Sequence, residues 1–176
     1  MTVERVAVGD EERVSAILTE AATWLAGKGE PNWALESVSP AGVAPTVATG
    51  EAYVAVVDGA DVATWFHQAR DPLWWPEFAA DDDRHRYLHK FALRRRAAGT
   101  GVSSAVIGWN VEATRCAGSR WLRLDCLDRP AMRRLYERAG FVLDRTMPHP
   151  QHPELASCRY ALDVTRSGRG SRRRRS

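Results

Sequence analysis

Of the 25 basic residues in this chain of 176, only Lys28 and Lys90 are lysines. Arginine takes lysine's place throughout, a bias of composition that we read without functional meaning. Cysteine is scarce as well, and the three present, Cys116, Cys126 and Cys158, are odd in number and widely spaced. That pattern excludes a disulfide framework and a zinc site, and it suits a reduced, intracellular chain. No apolar run approaches the roughly 20 residues that a bilayer requires. Met1 leads into a strand-like Val3 to Val8 without the basic and apolar regions of an export signal, so a soluble cytoplasmic protein is expected. Internal repeats are also missing.

The formal charge of +3 is misleading, because residues 166–176 hold six arginines and no acid, which leaves −3 for residues 1–165. A chain of this length that is 44% hydrophobic fills one core. One domain over 1–165 is therefore expected, followed by a tail with no apolar residue, which cannot pack. Such a tail attracts polyanions. Without aromatic residues between its arginines it is poor evidence of nucleic-acid recognition, and we expect a disordered end.

Along the chain, Asp10 precedes a helical pattern of Val14, Ile17, Leu18, Ala21, Ala22 and Leu25 that Gly27 and Gly29 stop. From Glu30 to Gly50 proline, glycine, serine and threonine crowd around a lone Trp33, and the stretch reads as a flap over a site. Ala52 to Val57 and Val62 to His67 flank Asp58-Gly59-Ala60-Asp61 and form a hairpin. Trp74 and Trp75, bracketed by prolines, cannot both lie on one element's core face. Either one of them lines a cleft or the pair plugs the sheet edge.

Next comes a strand, Tyr87 to Leu93, that turns through Arg94, Arg95, Arg96, Gly99 and Gly101 into a helix from Val102 to Ala117. Its Val102, Ala105, Val106, Trp109, Ala113 and Cys116 share one face. Trp121 to Cys126 is the next strand, and a helix of this length between two strands makes them parallel neighbours. Pro130 opens a last helix that Gly140 closes. Strands from Phe141 and over Ala156 to Val164 finish the order β-α-β-β-β-α-β-α-β-β, a mixed α/β sheet with helices on both faces.

A strand turning through glycines into a helix N-terminus leaves backbone N–H groups outward with the helix dipole behind them, and three nearby arginines can fork onto phosphate oxygens. By itself such a turn is as often only a turn. The pattern Arg96-x-x-Gly99-x-Gly101, however, resembles the acyl-CoA signature of the GNAT superfamily of N-acetyltransferases. A second segment, Leu122 to Cys126 and then Pro130 to Phe141 with Leu135-Tyr136-x-x-x-Gly140-Phe141, is similar to that family's following strand and helix. The resemblance covers residues 1–165 and implies the GNAT fold, an α/β (α+β) mixed sheet of about seven strands splayed between the fourth and the fifth.

It further implies acetyl-CoA as acyl donor, without a metal. Phe91, Ala92 and Leu93 would meet the pantetheine arm, and a strand N–H near Phe91 or Leu93 would polarise the thioester carbonyl. Arg96, Ala98, Gly99, Thr100, Gly101, Val102 and Ser103 would take the pyrophosphate. Tyr136 would protonate the departing thiolate; the plain alternative is a core phenol beside Phe141. Where many family members place asparagine before the proline of that helix, this chain has Arg129, which either reaches a phosphate or faces solvent.

For the amine's proton the candidates are His89, Asp125, Glu77, Asp71 and His67, with Asp71 and Glu77 favoured for contact with a cationic acceptor. Cys126 is a possible acyl carrier but reads better as a small buried hydrophobe. Trp33, Trp74 and Trp75 join Asp71 as candidates for acceptor binding. The expectation is direct acetyl transfer to a small primary amine, with no membrane or nucleic-acid partner and with a homodimer as one possible state. A protein or peptide acetyltransferase and a non-catalytic acyl-CoA-binding module are the alternatives.

Overall fold

The computed structural model describes residues 1–78 and 83–165. The expected tail, 166–176, and Asp81 and Asp82 of the acidic run lie outside the described residues. Seven strands form one sheet in the order β1-β2-β3-β4-β5-β7-β6. They are β1 (Thr2–Arg5), β2 (Ala52–Val57), β3 (Ala60–Gln68), β4 (His85–Leu93), β5 (Trp121–Leu127), β6 (Val142–Pro148) and β7 (Ala156–Asp163). Only β4 and β5 run parallel, as a helix between them requires. Asp58 and Gly59 turn β2 into β3 with φ of 51 and 74°, the left-handed pair of a tight hairpin.

One face carries α1 (Glu11–Ala26), α2 (Leu35–Val38) and α3 (Pro40–Ala48). Val14, Ile17, Leu18 and Ala22 of α1 are buried there with Val38, Val43 and Val47, over Ala52, Val54, Phe66 and Ala92 of the sheet. Asp10 occupies the N-cap of α1 without a side-chain cap, and Glu11 instead accepts from the Gly9 N–H at 3.0 Å. The opposite face carries α4 (Val102–Cys116) and α5 (Pro130–Arg138). There Val106, Ile107 and Tyr136 pack with Trp65, Leu122, Leu124 and Tyr160. Among the described residues no helix is long and apolar enough to cross a membrane.

Two elements differ from the sequence reading. The flap is mostly helical: Ser39 caps α3 by accepting from the Gly42 N–H at 3.1 Å, and Pro40 follows at the first helical position. Proline and serine, read as loop formers, are here helix starters. The buried stripe of α4 is Val106, Ile107, Asn110 and Thr114, while Cys116 is exposed. Its polar members satisfy themselves, Asn110 donating to the Val106 carbonyl and Thr114 to that of Asn110.

Gly42 marks the contact between α2 and α3. A Cβ there would stand 2.4 Å from the Glu36 carbonyl oxygen and 2.9 Å from the Ser37 carbonyl carbon, both backbone. Gly42→Ala is expected to cost about 1–3 kcal/mol, as overpacking does, measured as a lowered urea midpoint at unchanged m-value.

Candidate active site

The site begins where β4 and β5 part company. Their ladder runs from His85↔Trp121 to Leu88↔Leu124 and goes no further. At that point β4 bulges: its register against β3 shifts between Phe66↔His89 and Thr64↔Ala92, and Lys90 takes a left-handed φ of 44°. A bulge bends its strand, and here it turns β4 away from β5. Adjacent residues of a regular strand face opposite sides, yet Leu88, His89, Lys90 and Phe91 all line one cleft of about 410 Å³. Across it stand Asp125, Cys126 and Leu127 of β5, Tyr136 of α5, and Asn32, Trp33, Asp71, Trp74, His149 and His152 from loops.

His89 lies between two carboxylates, with Nε2 3.1 Å from Asp71 Oδ2 and Nδ1 3.0 Å from Asp125 Oδ1. The three could gather a cation, since their ligand atoms lie within 4.8 Å of one another. However, the ring presents one nitrogen to each acid, the arrangement of an imidazolium. Burial works to lower the His89 pKa, but Asp125 and Asp71 outweigh it and push it up to about 10. A histidine protonated on both nitrogens has no lone pair to accept a proton, which argues against His89 as the base. Asp71 is further fixed by the Trp74 N–H on Oδ1 at 3.0 Å. Asp125 Oδ2 has no hydrogen-bond partner among the described residues.

Tyr136 is 4% exposed and edge-on to Phe141, with ring centroids 5.8 Å apart. It lines the cleft, its hydroxyl has no partner among the described residues, and burial drives its pKa well above the usual phenol range. It therefore stays a neutral O–H donor at any physiological pH. Burial likewise pushes the neighbouring Cys126 thiol up to about 12, which keeps it from being a thiolate nucleophile.

Beyond the end of β4, Gly99 and Gly101 take φ of 78 and 88° around the start of α4. The N–H groups of Gly99, Gly101, Val102, Ser103 and Ser104 find no hydrogen-bond partner among the described residues. Five free donors at a helix N-terminus fit a pyrophosphate. The arginines before them are less available than their sequence suggests. Arg94 binds Glu20 at 2.8 Å, Arg95 stacks 3.7 Å from the Trp24 ring centroid, and only Arg96 remains exposed and lightly held.

Comparison with known proteins gives the architecture its name. No protein-family model matches the chain. A curated relative, the uncharacterized N-acetyltransferase YesJ of Bacillus subtilis (strain 168), is 28% identical over 138 residues, covering 75% of this chain and 76% of its own. A GNAT-family acetyltransferase from Listeria monocytogenes 4b F2365 superposes with a TM-score of 0.73 at 18% identity, over 92% of this chain and 94% of that one. The chain has the GNAT fold. A further structural neighbour, yncA of Salmonella typhimurium solved with its cofactor acetyl-CoA, matches over 95% of both chains at a TM-score of 0.70 and 14% identity.

On this GNAT frame several expected site residues lie elsewhere. Glu77 pairs with Arg159, away from the cleft lining, because that buried guanidinium needs its charge. Trp75 is 1% exposed between the guanidinia of Arg123 and Arg159, whose carbons sit 4.4 and 3.6 Å from its ring centroid, so it covers the interior strands β4, β5 and β7 and not the sheet edge, while Trp74 faces the cleft. His67 belongs to the core under α4, where it meets Asn110 Oδ1 at 2.9 Å and burial lowers its pKa. Arg129 is held by contacts within the protein, with its side chain 22% exposed. It donates to the Pro31 carbonyl at 2.8 Å and faces Glu30 at 3.6 Å, tying the loop before α2 to the start of α5. Arg129→Ala is expected to raise the KM of an acceptor several-fold while the affinity for CoA is unchanged, as steady-state kinetics and calorimetry would show.

The sequence reading missed Lys90, His149 and His152. Its one available signal was that Lys90, half of the chain's lysine, adjoins a histidine already under suspicion.

Proposed function

We propose that this protein is an acetyl-CoA-dependent N-acetyltransferase that transfers the acetyl group directly to the primary amine of a small molecule held with the donor in one ternary complex. The observation that carries the reading is the cleft at the splay, where the Tyr136 phenol and the Asp125 carboxylate line one small volume together, across from β4. Bound along the open edge of β4, acetyl-CoA supplies an activated acyl thioester.

The free N–H groups from Gly99 to Ser104 hold its pyrophosphate, with Arg96 adding charge. Phe91 to Leu93 give the pantetheine arm a strand edge, and a backbone N–H near Phe91 or Leu93 polarises the acyl carbonyl. Asp125 Oδ2 receives the acceptor's ammonium and takes its proton, while Asp71 and the His89 imidazolium fix that carboxylate in place. Tyr136 gives its proton to the thiolate as the amide C–N bond forms and the thioester C–S bond breaks, and the second proton that the nitrogen loses returns to the Tyr136 oxygen, leaving the amide and CoA thiol. The raised thiol of Cys126 supports direct transfer over an acyl-enzyme.

A volume of about 410 Å³ walled by Trp33, Trp74, His149 and His152 suits a small acceptor better than a peptide segment. Acetyl-CoA and a panel of small amines, followed by release of CoA thiol, test the reading. CoA release that depends on one class of amine is expected. Release that no amine raises above the hydrolytic background would defeat it.

A further inference from the structure

Lys90 stands out among the cleft's charged groups. Its Nζ donates to Ser37 Oγ at 3.3 Å and lies 5.6 Å from the Trp33 ring centroid. Among the described residues no carboxylate comes within 4.0 Å of it. Burial pushes its amine down to about 8 although Asp125 favours the charge. An ammonium taken partly out of water without a counter-ion is costly, and β4 accepts this one at a left-handed φ that a lysine rarely adopts. A stability argument alone would place glycine there.

The rest of the lining leaves this charge unanswered. The other cation, His89, is saturated by Asp71 and Asp125. His149 accepts the backbone N–H groups of Gln151 and His152 on Nδ1 at 3.1 and 3.2 Å, and burial lowers its pKa, so its ring is neutral. The cleft therefore holds two groups of opposite character: a carboxylate of Asp125 that wants a cation, and the Lys90 ammonium, held by the Ser37 hydroxyl whose own hydrogen goes to the Ala34 carbonyl at 2.8 Å, that wants an anion.

We infer that the acceptor is a small zwitterion, an amine that also bears a carboxylate, and that Lys90, positioned by Ser37, receives the carboxylate while Asp125 receives the amine. The assignment rests on the acetyl-transfer reading for its chemistry but not for its test, which reads binding. Lys90 acts on choice of acceptor, and the Trp33 ring, 5.6 Å from its Nζ, flanks it.

Calorimetry on CoA-loaded protein tests this with matched probes: the common L-amino acids, β-alanine and 4-aminobutyrate, each against the amine of the same skeleton lacking the carboxylate. At least one carboxylate-bearing probe is expected to bind tenfold or more tighter than its partner. Lys90→Met is expected to remove that preference with unchanged CoA affinity, and Lys90→Arg to restore part of it. Should Lys90→Met not fold, Ser37→Ala on the exposed end of α2 is expected to reduce the same preference several-fold. The assignment is overturned if decarboxylated amines bind as tightly, if no carboxylate-bearing probe binds, or if the folded variants keep the preference. Carboxylates that bind but release no CoA would instead sink the acetyl-transfer reading and leave this one standing.

Discussion

Tyr136→Phe is expected to lower kcat about 10²-fold or more, the range in which loss of a positioned general acid falls. The substitution removes one oxygen and no packing. The ring keeps its contact with Phe141, 5.8 Å between centroids, and its place beside Tyr160 at 6.1 Å. Stability should therefore be preserved, because the hydroxyl lines the cleft and no protein hydrogen bond is lost with it. KM for acetyl-CoA should hardly move, since the phenol acts on the leaving sulfur and not on the bound ground state. A structural phenol would give the opposite signature, a lower melting temperature with kcat intact. Plotting kcat and Tm for the two proteins side by side separates the two roles.

His89→Leu is expected to have the largest effect on stability, about 3–5 kcal/mol, the usual cost of breaking a buried ion pair by removing one member. Two carboxylates, Asp71 with a side chain 5% exposed and Asp125 with one 18% exposed, would be left without their shared cation. Adding Asp71→Asn should restore part of the loss, which a pure packing defect would not allow. The same group sets a pH dependence. The folded-state pKa of His89, about 10, lies above the ordinary 6.5, so its contribution is fully present below about pH 6.5 and is lost as pH rises through about 10. Denaturant unfolding between pH 7 and 10 should show the wild type losing more stability than His89→Gln. Parallel curves would mean that His89 is not the imidazolium described above.

What could be read from the sequence was local in origin. Gly99, Gly101, Pro130 and Gly140 punctuate elements whose spacing dictates a parallel β4–β5 pair, and these gave the donor side of the site. On the acceptor side Trp33, Asp71, Trp74, His89 and Asp125 do line the cleft, and the residues that fell outside it did so because their contacts join distant positions. Glu77 is drawn off by Arg159, 82 positions away, and Arg129 is spent on Pro31, 98 positions away. Pattern along the chain carries no trace of such pairs. Trp74 and Trp75 illustrate the same limit, since Trp74 reaches the cleft as one reading had it, while Trp75 is drawn over the middle of the sheet by Arg123 and Arg159. Lys90 was hidden for another reason: strand alternation places it opposite His89, and only a bulge, set by how β4 fits against β3, brings both to one cleft. Trp33 is the exception. A lone aromatic in a stretch taken for a flap does reach the cleft, from the loop before α2, with Ser37 of α2 and Thr46 of α3 completing that wall.

The most direct measurement of the central claim is a single turnover of protein with acetyl-CoA labelled in the acetyl group, quenched over time and divided by mass spectrometry into protein and small-molecule fractions. Direct transfer predicts label passing to the acceptor amide in step with CoA release, with the protein unlabelled at every time point. Label accumulating on Cys126 before the amide forms, or CoA released with no labelled amide at all, would contradict it.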